Sequence, residues 1–524
     1  MLGNSLSRRA DTTARKNRRL PSDTLDEVAR TRFLEEAVGG LRTRHPELSA
    51  SVGLWPWQRR VLVGAGIVLA GGLVLATEAT ILALLALLAF PFLCVVILRG
   101  IALWQLRFPP PRVSASPVDD ADDAALPLYT ILVPLFREAA VVPQLVASLR
   151  ALDYPPARLE IMLIVEEVDR ETKAALEAAG LPPHMQIIVV PDGQPRTKPR
   201  ATQYAMQSAK GEYVVVYDAE DAPEPDQLRR ALAGLRAGGE RLGCLQAQLN
   251  IDNSDVSWFT RQFTIEYTAL FDCILPALER LQLPVPLGGT SNHFPRRVLD
   301  AVGGWDPYNV TEDADLGMRL ARQGWHVGVI SSTTWEEAPQ TFHVWKGQRT
   351  RWLKGWMQTY LVHMRQPGRL WRELGARRFI GFQVLMGGMI LSVLVHPWFY
   401  LLIAFDLWHG RMLGIPENVF GQWLLGIGIF NLVAGYVSAI ALGTVAAARR
   451  GRLRLAAHAL MMPAYWLAIS FAAHRALFQL VWAPFYWEKT EHLGRRAGVR
   501  RATSPLPLPS RHSSASGEKS QRLV

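Results

Sequence analysis

Two patterns of apolar and polar residues alternate along the chain. Val61 to Thr77 and Ala79 to Leu98 are uncharged apolar runs separated by Glu78, and Phe382 to Phe405 and Val419 to Ala448 are longer ones with no charge before Phe405 or Ala448. A bilayer core takes about 20 apolar helical residues, so each run predicts a membrane span. Leu455 to Trp482 is apolar too, but carries His458, Pro463, His474 and Arg475, and its pattern is ambiguous.

Between the two pairs of runs the period changes. Tyr129 to Pro134, Glu160 to Val165, Met185 to Val190 and Glu212 to Tyr217 read as strands, and Val141 to Arg150, Glu171 to Ala179 and Lys198 to Ala209 as helices. Short β-branched runs alternating with helical patterns predict a parallel sheet covered by helices on both faces, an α/β layer structure of the nucleotide-binding kind. The expected organisation is a polar, Arg-rich tail over 1–54 with one amphipathic helix around Leu25 to Leu41, then two spans over 55–104. A domain follows over 105–365, entered through Phe108-Pro109-Pro110-Pro111 and the acidic linker Asp119 to Asp123 and ending in an interfacial helix. Spanning or interfacial helices over 366–483 and a tail over 484–524 complete it, the Ser- and Pro-rich stretch from 503 expected to be disordered.

Charge sharpens this picture. The formal net charge is +11, which in a soluble protein raises nucleic-acid binding. Here Arg59-Arg60, Arg99, Arg107 and the run Arg449-Arg450-Gly451-Arg452-Leu453-Arg454 flank the apolar runs. Basic flanks mark the cytoplasmic side of a span, so the expectation is a multi-pass protein with a cytoplasmic domain and no nucleic-acid partner. A first apolar run beginning at Val61 and followed at once by a second fits a cleavable signal peptide poorly. Cys94, Cys244 and Cys273 lack metal-ligand spacing and read as inert thiols.

Three clusters carry candidate chemistry. Asp218-Ala219-Glu220-Asp221 follows the apolar run ending at Tyr217, where the chain leaves a sheet and ligands bind in open α/β folds. Asp218 and Glu220 there can share a hard divalent cation with phosphate oxygens, or form a solvated acidic turn. Thr311-Glu312-Asp313 opens a helical pattern: Thr311 is suited to cap it and the acids to its dipole, and Asp313 is equally placed to act as a general base. Gln348, Arg351 and Trp352 stand at i, i+3 and i+4, on one helix face. Arg351 offers a forked donor to a diphosphate, Trp352 a ring for a sugar face and Gln348 an amide for hydroxyls. Trp345, Trp352 and Trp356 with Lys346, Arg349 and Lys354 also fit a membrane-interface helix, and both readings are compatible.

In this order the clusters resemble the motifs of processive, inverting family 2 glycosyltransferases of the bacterial cellulose-synthase-like group. Pro134-Leu135-Phe136-Arg137-Glu138 resembles their first-strand nucleotide motif, Glu166-Glu167 stands where they usually carry Asp-Asp at the uracil, and Thr197-Lys198-Pro199-Arg200-Ala201 resembles their lysine segment near the diphosphate. Asp218-Ala219-Glu220 resembles the D-x-D metal motif, Thr311-Glu312-Asp313 the T-E-D base motif and Gln348 to Trp352 the Q-x-x-R-W acceptor motif. Glu220, Glu166 and Glu167 depart from the usual aspartates. The stretch from Leu287 to Phe294 and the continuous run from Val310 to Trp325 resemble the subgroup of phage N4 adsorption protein B-like transferases, and Phe485-Tyr486-Trp487-Glu488-Lys489-Thr490 faintly resembles a gating loop.

The resemblance implies a GT-A (Rossmann-like) domain inserted between transmembrane helices in the bacterial inner membrane. It implies Asp313 as base, Asp218 and Glu220 as ligands of Mg²⁺ or Mn²⁺, and Glu138, Glu166, Glu167, Lys198, Gln348, Arg351 and Trp352 as substrate contacts. The expected activity is polymerisation of a nucleotide sugar, of the UDP class, into a β-linked polysaccharide extruded through the membrane. Its partners would be the donor, the growing chain, membrane lipid and a periplasmic or outer-membrane export protein. Single transfer to a lipid carrier and a non-catalytic scaffold or receptor are the alternatives. A cytoplasmic gating segment would require an even number of crossings, making Leu455 to Trp482 interfacial or a double pass. No R-x-x-x-R with a following D/N-x-S-x-x-G appears after the spans, so no fused cyclic-di-GMP domain is expected.

Overall fold

The computed structural model describes residues 27–108, 123–410 and 418–490. The prolines at 109–111, most of the acidic linker and the stretch from 503 lie outside the described residues. Helix α1 (Glu27–Arg44) is followed by α2 (Pro56–Leu75) and α3 (Thr77–Gln105). The domain strands are β1 (Tyr129–Leu135), β2 (Leu159–Glu166), β3 (Met185–Val190), β4 (Tyr213–Val216), β5 (Ala222–Pro223), β6 (Leu242–Ile251), β7 (Asn292–Pro295) and β8 (His326–Glu336). Its helices are α4 (Val142–Arg150), α5 (Arg170–Ala178), α6 (Lys198–Met206), α7 (Gln227–Ala237), α8 (Trp258–Ala269), α9 (Leu275–Arg280), α10 (Arg296–Ala301), α11 (Glu312–Arg322) and α12 (Phe342–His363). Then come α13 (Pro367–Phe382), α14 (Gly388–Trp408), α15 (Val419–Arg449), α16 (Leu453–His458) and α17 (Met462–Trp482).

The sheet runs β3-β2-β1-β4-β7-β6-β8-β5. Its first four strands are parallel, as the alternating pattern predicts, and every residue of β2 is buried, which explains the apolar run from Ile161 to Val165 within it. The second half corrects the all-parallel expectation. β7 runs antiparallel to both β4 and β6, and β5 to β8, while β6 and β8 are parallel. β6 is also wholly buried, yet Gln246, Gln248 and Asn250 interrupt its apolar pattern. Those amides are tolerated inside because they bond: Gln246 donates to Thr290 O at 3.0 Å, and Asn250 to Thr268 Oγ1 at 3.1 Å.

α1 is clamped to the domain rather than free. Ala37 and Leu41 are buried, Phe33 meets Tyr204 of α6 edge-on, and Gln207 donates to Phe33 O at 2.6 Å. Asp306 accepts from Ala50 N at 2.6 Å just beyond it.

Among the described residues, five helical segments are long and apolar enough to cross a membrane: Pro56–Leu75, Thr77–Gln105, Pro367–Phe405, Val419–Arg449 and Leu453–Trp482. α2 begins at the domain, where Trp57 donates to Arg365 O and Gln58 to Leu361 O, and α3 returns to it, its Ala102 buried against Ala269 and Cys273. α14 leaves the domain beside the Tyr360–Gln383 hydrogen bond, and α15 comes back to the buried pair of Arg450 with Asp272, bidentate at 2.6 and 2.7 Å. α17 behaves differently. Gln262 bonds His458 O shortly before its start, while Lys354 bonds Ala483 O and Tyr486 O and Gln358 bonds Pro484 O just after its end. Both ends of this helix are therefore tied to the domain. One face packs Tyr465, Ile469, Ala472 and Ala476 inward, and the other exposes Leu467, Phe471, Phe478 and Trp482.

Candidate active site

The ends of β1, β2 and β4, the loop before β7, the start of α11, one face of α12 and the tail after α17 enclose one cavity of ≈ 250 Å³. Glu138, Glu166, Lys198, Asp218, Glu220, Asp313, Gln348, Arg351 and Trp352 all line it. Glu167 does not. It is the next residue after the last of β2, so its side chain turns to the opposite side, where it is exposed and accepts from Asp192 N at 3.1 Å.

The sheet side of the cavity is a wall of charges that includes two cation–carboxylate pairs. Glu166 pairs with Arg200, both buried; burial lifts the Glu166 carboxyl to about 7 against the pull of Arg200 and Arg196. Lys198, the first residue of α6, donates to Asp218 Oδ1 and to Gly289 O at 2.7 Å. Burial works against its charge, but Asp218, Glu312 and Asp313 outweigh it and hold its pKa above that of a free lysine. Asp221 folds back inside the loop, accepting from Asp218 N at 2.7 Å and from Thr290 Oγ1.

Asp313 faces this wall from the first turn of α11. A methyl group at Gly289 would lie 3.4 Å from Asp313 Oδ2, 3.8 Å from Lys198 Nζ and 3.9 Å from Asp218 Oδ2, so the glycine keeps open the space where the three converge. Burial raises the Asp313 pKa, tempered by the Ala314 N–H, Lys198 and Arg351, and so makes it a better proton acceptor than a solvated carboxylate. Glu312 is pushed up to about 8 by burial and by Asp313 beside it. Thr311 occupies the cap position of α11, but its hydroxyl does not cap the helix as expected. Its backbone N–H bonds Asn309 Oδ1 instead, at 3.0 Å, and it packs beneath Gly355 of α12, where a Cβ would lie 2.3 Å from Thr311 Oγ1. Two residues beyond Asp313, Asp315 pairs with Arg319 at 2.8 Å and with His363 of α12 at 3.1 Å, all buried, which ties α11 to α12.

The α12 side is aromatic. Trp352 stacks on Tyr267 at 6.0 Å, and Arg349, 5.2 Å from the Trp352 ring centre, bonds Glu266 and Tyr465 without lining the cavity. Arg351 lies 4.3 Å from the ring centre of Trp487, and Lys489 pairs with Glu138 at 2.7 Å. The tail after α17 thus closes the cavity, joining the β1 end to α12.

Residues 127–355 match the family described as "Glycosyltransferase like family 2". This segment is a family 2 glycosyltransferase domain. The sheet order, the strand-end acids and the flanking apolar helices accord with a GT-A-like α/β fold. The chain is 27% identical over 252 residues to "Probable glycosyltransferase YdaM" of Bacillus subtilis, a match covering 47% of this chain and 60% of that protein. It is 28% identical over 330 residues to "Beta-monoglucosyldiacylglycerol synthase" of Synechocystis, covering 59% of this chain and 67% of the relative. A third relative is "Glucomannan 4-beta-mannosyltransferase 2" of Arabidopsis thaliana, 24% identical over 289 residues, covering 51% and 53% of the two chains. The chain therefore spans between about half and two thirds of these relatives.

The glycosyltransferase cavity also holds residues that the sequence reading left unassigned. Glu312 sits inside the T-E-D cluster, and Trp487 and Lys489 inside the gating-like segment, so their signal was local. Tyr267 and Glu336 carried none: the first belongs to α8, the second to the end of β8, and only tertiary folding brings them to the cavity.

Proposed function

We propose that the chain is a membrane-embedded, inverting glycosyltransferase that adds sugars from a nucleotide sugar, of the UDP class, to a growing β-linked glycan. The convergence of Asp313, Lys198 and Asp218 around Gly289, opposite Gln348, Arg351 and Trp352, carries this reading. Asp313 accepts the proton of the acceptor hydroxyl, whose oxygen attacks the anomeric carbon as the bond to the diphosphate breaks. Lys198 and Arg351 meet the charge that develops on the leaving group. Trp352 and Gln348 hold the acceptor end, and Glu166 and Glu138 line the nucleotide side.

The donor set fits Mg²⁺ or Mn²⁺. Asp218, Glu220, Asp221 and Glu336 crowd together, with Asp221 and Glu336 held well above the usual carboxylate range by burial and by their acidic neighbours, and Asp221 Oδ1 is buried with no hydrogen-bond partner. Asp218 and Glu220 would hold the cation, which when bound neutralises the departing diphosphate.

The tied ends of α17 support four crossings, α2–α3 and α14–α15, with α17 lying flat beneath the domain; α1, the domain and the tail then share the cytoplasmic side of an inner membrane. Extrusion of the product through the bundle to an export partner belongs to the same reading. Single transfer to a lipid is the second reading, favoured by the match to the Synechocystis "Beta-monoglucosyldiacylglycerol synthase".

Purified protein with Mg²⁺ or Mn²⁺ and a panel of nucleotide sugars is the test, following release of free nucleoside diphosphate. A long product lost in Asp313→Asn supports polymerisation. Short, lipid-soluble product would replace it with single transfer. Silence across the panel would overturn the enzymatic reading.

A further inference from the structure

Among the apolar helices lies a polar cluster that the transfer chemistry does not use. Arg99 of α3, His396 and Tyr400 of α14, Tyr436 of α15 and Trp466 of α17 meet where these four helices come together. Tyr436 Oη bonds His396 Nε2 at 2.7 Å and also meets the Tyr400 hydroxyl, and its ring stacks on Trp466 at 5.3 Å. Arg99 Nη1 donates to Gly435 O at 3.1 Å, and its guanidinium lies 4.9 Å from the Trp466 ring centre.

Arg99 has five N–H donors, and among the described residues its partners are one carbonyl and one ring face, with no carboxylate pairing with it. A cation left without a counter-charge in an apolar bundle is unfavourable, and such residues are found where they meet a partner. An anion supplies that partner, and a phosphate matches the guanidinium fork.

The depth of the cluster points to a lipid. Arg99 stands less than two turns before the end of α3 at Gln105, about 9 Å along the helix axis, and α3 ends against the domain. Tyr465, next to Trp466, bonds Glu266 and Arg349 at the floor of the aromatic wall. The seam is flanked by Ile97, Val433 and Val437, half or more exposed on the apolar outer surface. A head group can therefore reach the cluster from the side at the level where the domain meets the bilayer.

We propose that Arg99, with His396, Tyr436 and Trp466, binds the phosphate head group of an anionic membrane lipid between α3, α14, α15 and α17. The site lies outside the donor cavity, and its test does not read sugar transfer. Native mass spectrometry of the full chain from mild detergent is titrated with short-chain phosphatidylglycerol and, in parallel, with uncharged diacylglycerol. The expected result is one tightly retained phosphatidylglycerol per chain and no comparable retention of diacylglycerol. Arg99→Gln should weaken retention at least tenfold and Arg99→Lys by much less. Equal retention in the wild type and in a monodisperse Arg99→Gln protein would overturn the proposal, leaving Arg99 a purely structural contact, as would equal retention of diacylglycerol. If Arg99→Gln fails to fold, Tyr436→Phe, which removes only a hydroxyl, is expected to weaken retention about threefold; unchanged retention there overturns the proposal equally.

Discussion

The two walls of the cavity solve opposite problems. On the sheet wall the cations Arg200 and Lys198 already have their carboxylates, Glu166 and Asp218, beside the crowded acids Asp221 and Glu336. On the α12 wall the surface is rings, and buried polar atoms of Gln348 and Arg351 have no hydrogen-bond partner. Paired cations can be exposed to water between turnovers and still keep their geometry. A wall with unmet donors and acceptors gains them only when a ligand arrives, since each unpaired buried group is unfavourable by about 1–3 kcal/mol. The sheet wall thus holds preformed cations for the donor and unmet acid oxygens, Asp221 Oδ1 and Glu336 Oε1, for a metal ion, and the α12 wall is completed by its acceptor. Asp313 stands between them, and the fit of α11 against α12 sets its distance from both.

Asp313→Asn should break the comparison most severely. It keeps shape and hydrogen bonding but removes the proton acceptor, and loss of a positioned base costs about 10²–10⁴-fold in rate. Nucleoside diphosphate release should fall by that factor while donor affinity, measured by calorimetry, changes less than about twofold. Gly355→Ala comes next. Its Cβ would lie 2.3 Å from Thr311 Oγ1 and 2.7 Å from Thr311 N, and backbone cannot step aside as a side-chain tip can. Such overpacking destabilises by about 1–3 kcal/mol, so a lower melting temperature and at least tenfold slower transfer are expected, from a residue that does not line the cavity.

Much of this site could be read from spacing. Gln348, Arg351 and Trp352 share a face because three- and four-residue steps do so on any helix, and Asp218 is at a strand end because the apolar run stops at Tyr217. The same alternation separates Glu166, which lines the cavity, from Glu167, which does not. What spacing could not carry is long-range pairing. Lys489 reaches Glu138 from 351 residues away, and β7 runs antiparallel between β4 and β6 for reasons no local pattern holds. Leu455 to Trp482 shows the limit from the other side: its length suits a span, but bonds to both its ends tie them to the domain. Buried amides hid β6 for a related reason, since Gln246 and Asn250 look like surface residues until Thr290 and Thr268 are beside them.

A smaller effect should separate the walls directly. Trp352→Ala removes a stacking ring, worth about 0.5–1.5 kcal/mol beyond its area, so the acceptor KM should rise about tenfold or products shorten, with donor affinity unchanged. Lys198→Met should do the reverse, weakening donor binding more than it alters acceptor KM. Equal effects of both variants on both substrates would mean that the cavity is one shared site without walls of distinct function.

The least of these effects tests whether pH acts through the fold or through the cavity. Glu279, in α9 behind β8 and outside the cavity, accepts from Val329 N at 3.0 Å, yet burial lifts its carboxyl to about 7. An acid whose folded pKa exceeds its unfolded value holds its proton longer in the folded state. Stability is therefore greatest below the unfolded value near 4.5, falls as pH rises to about 7, and is level beyond that. The loss is on the order of 1–3 kcal/mol, and partial exposure places it toward the lower end. Glu279→Gln keeps an acceptor for Val329 and cannot ionise, so its melting temperature should lose this slope between pH 5 and 7.5 and exceed the wild type's at the upper end. Transfer by the same variant should keep the wild-type pH profile, because Asp313 is untouched. A profile that shifted with Glu279→Gln would show that the pH response of activity belongs to the stability of the domain and not to the base between its walls.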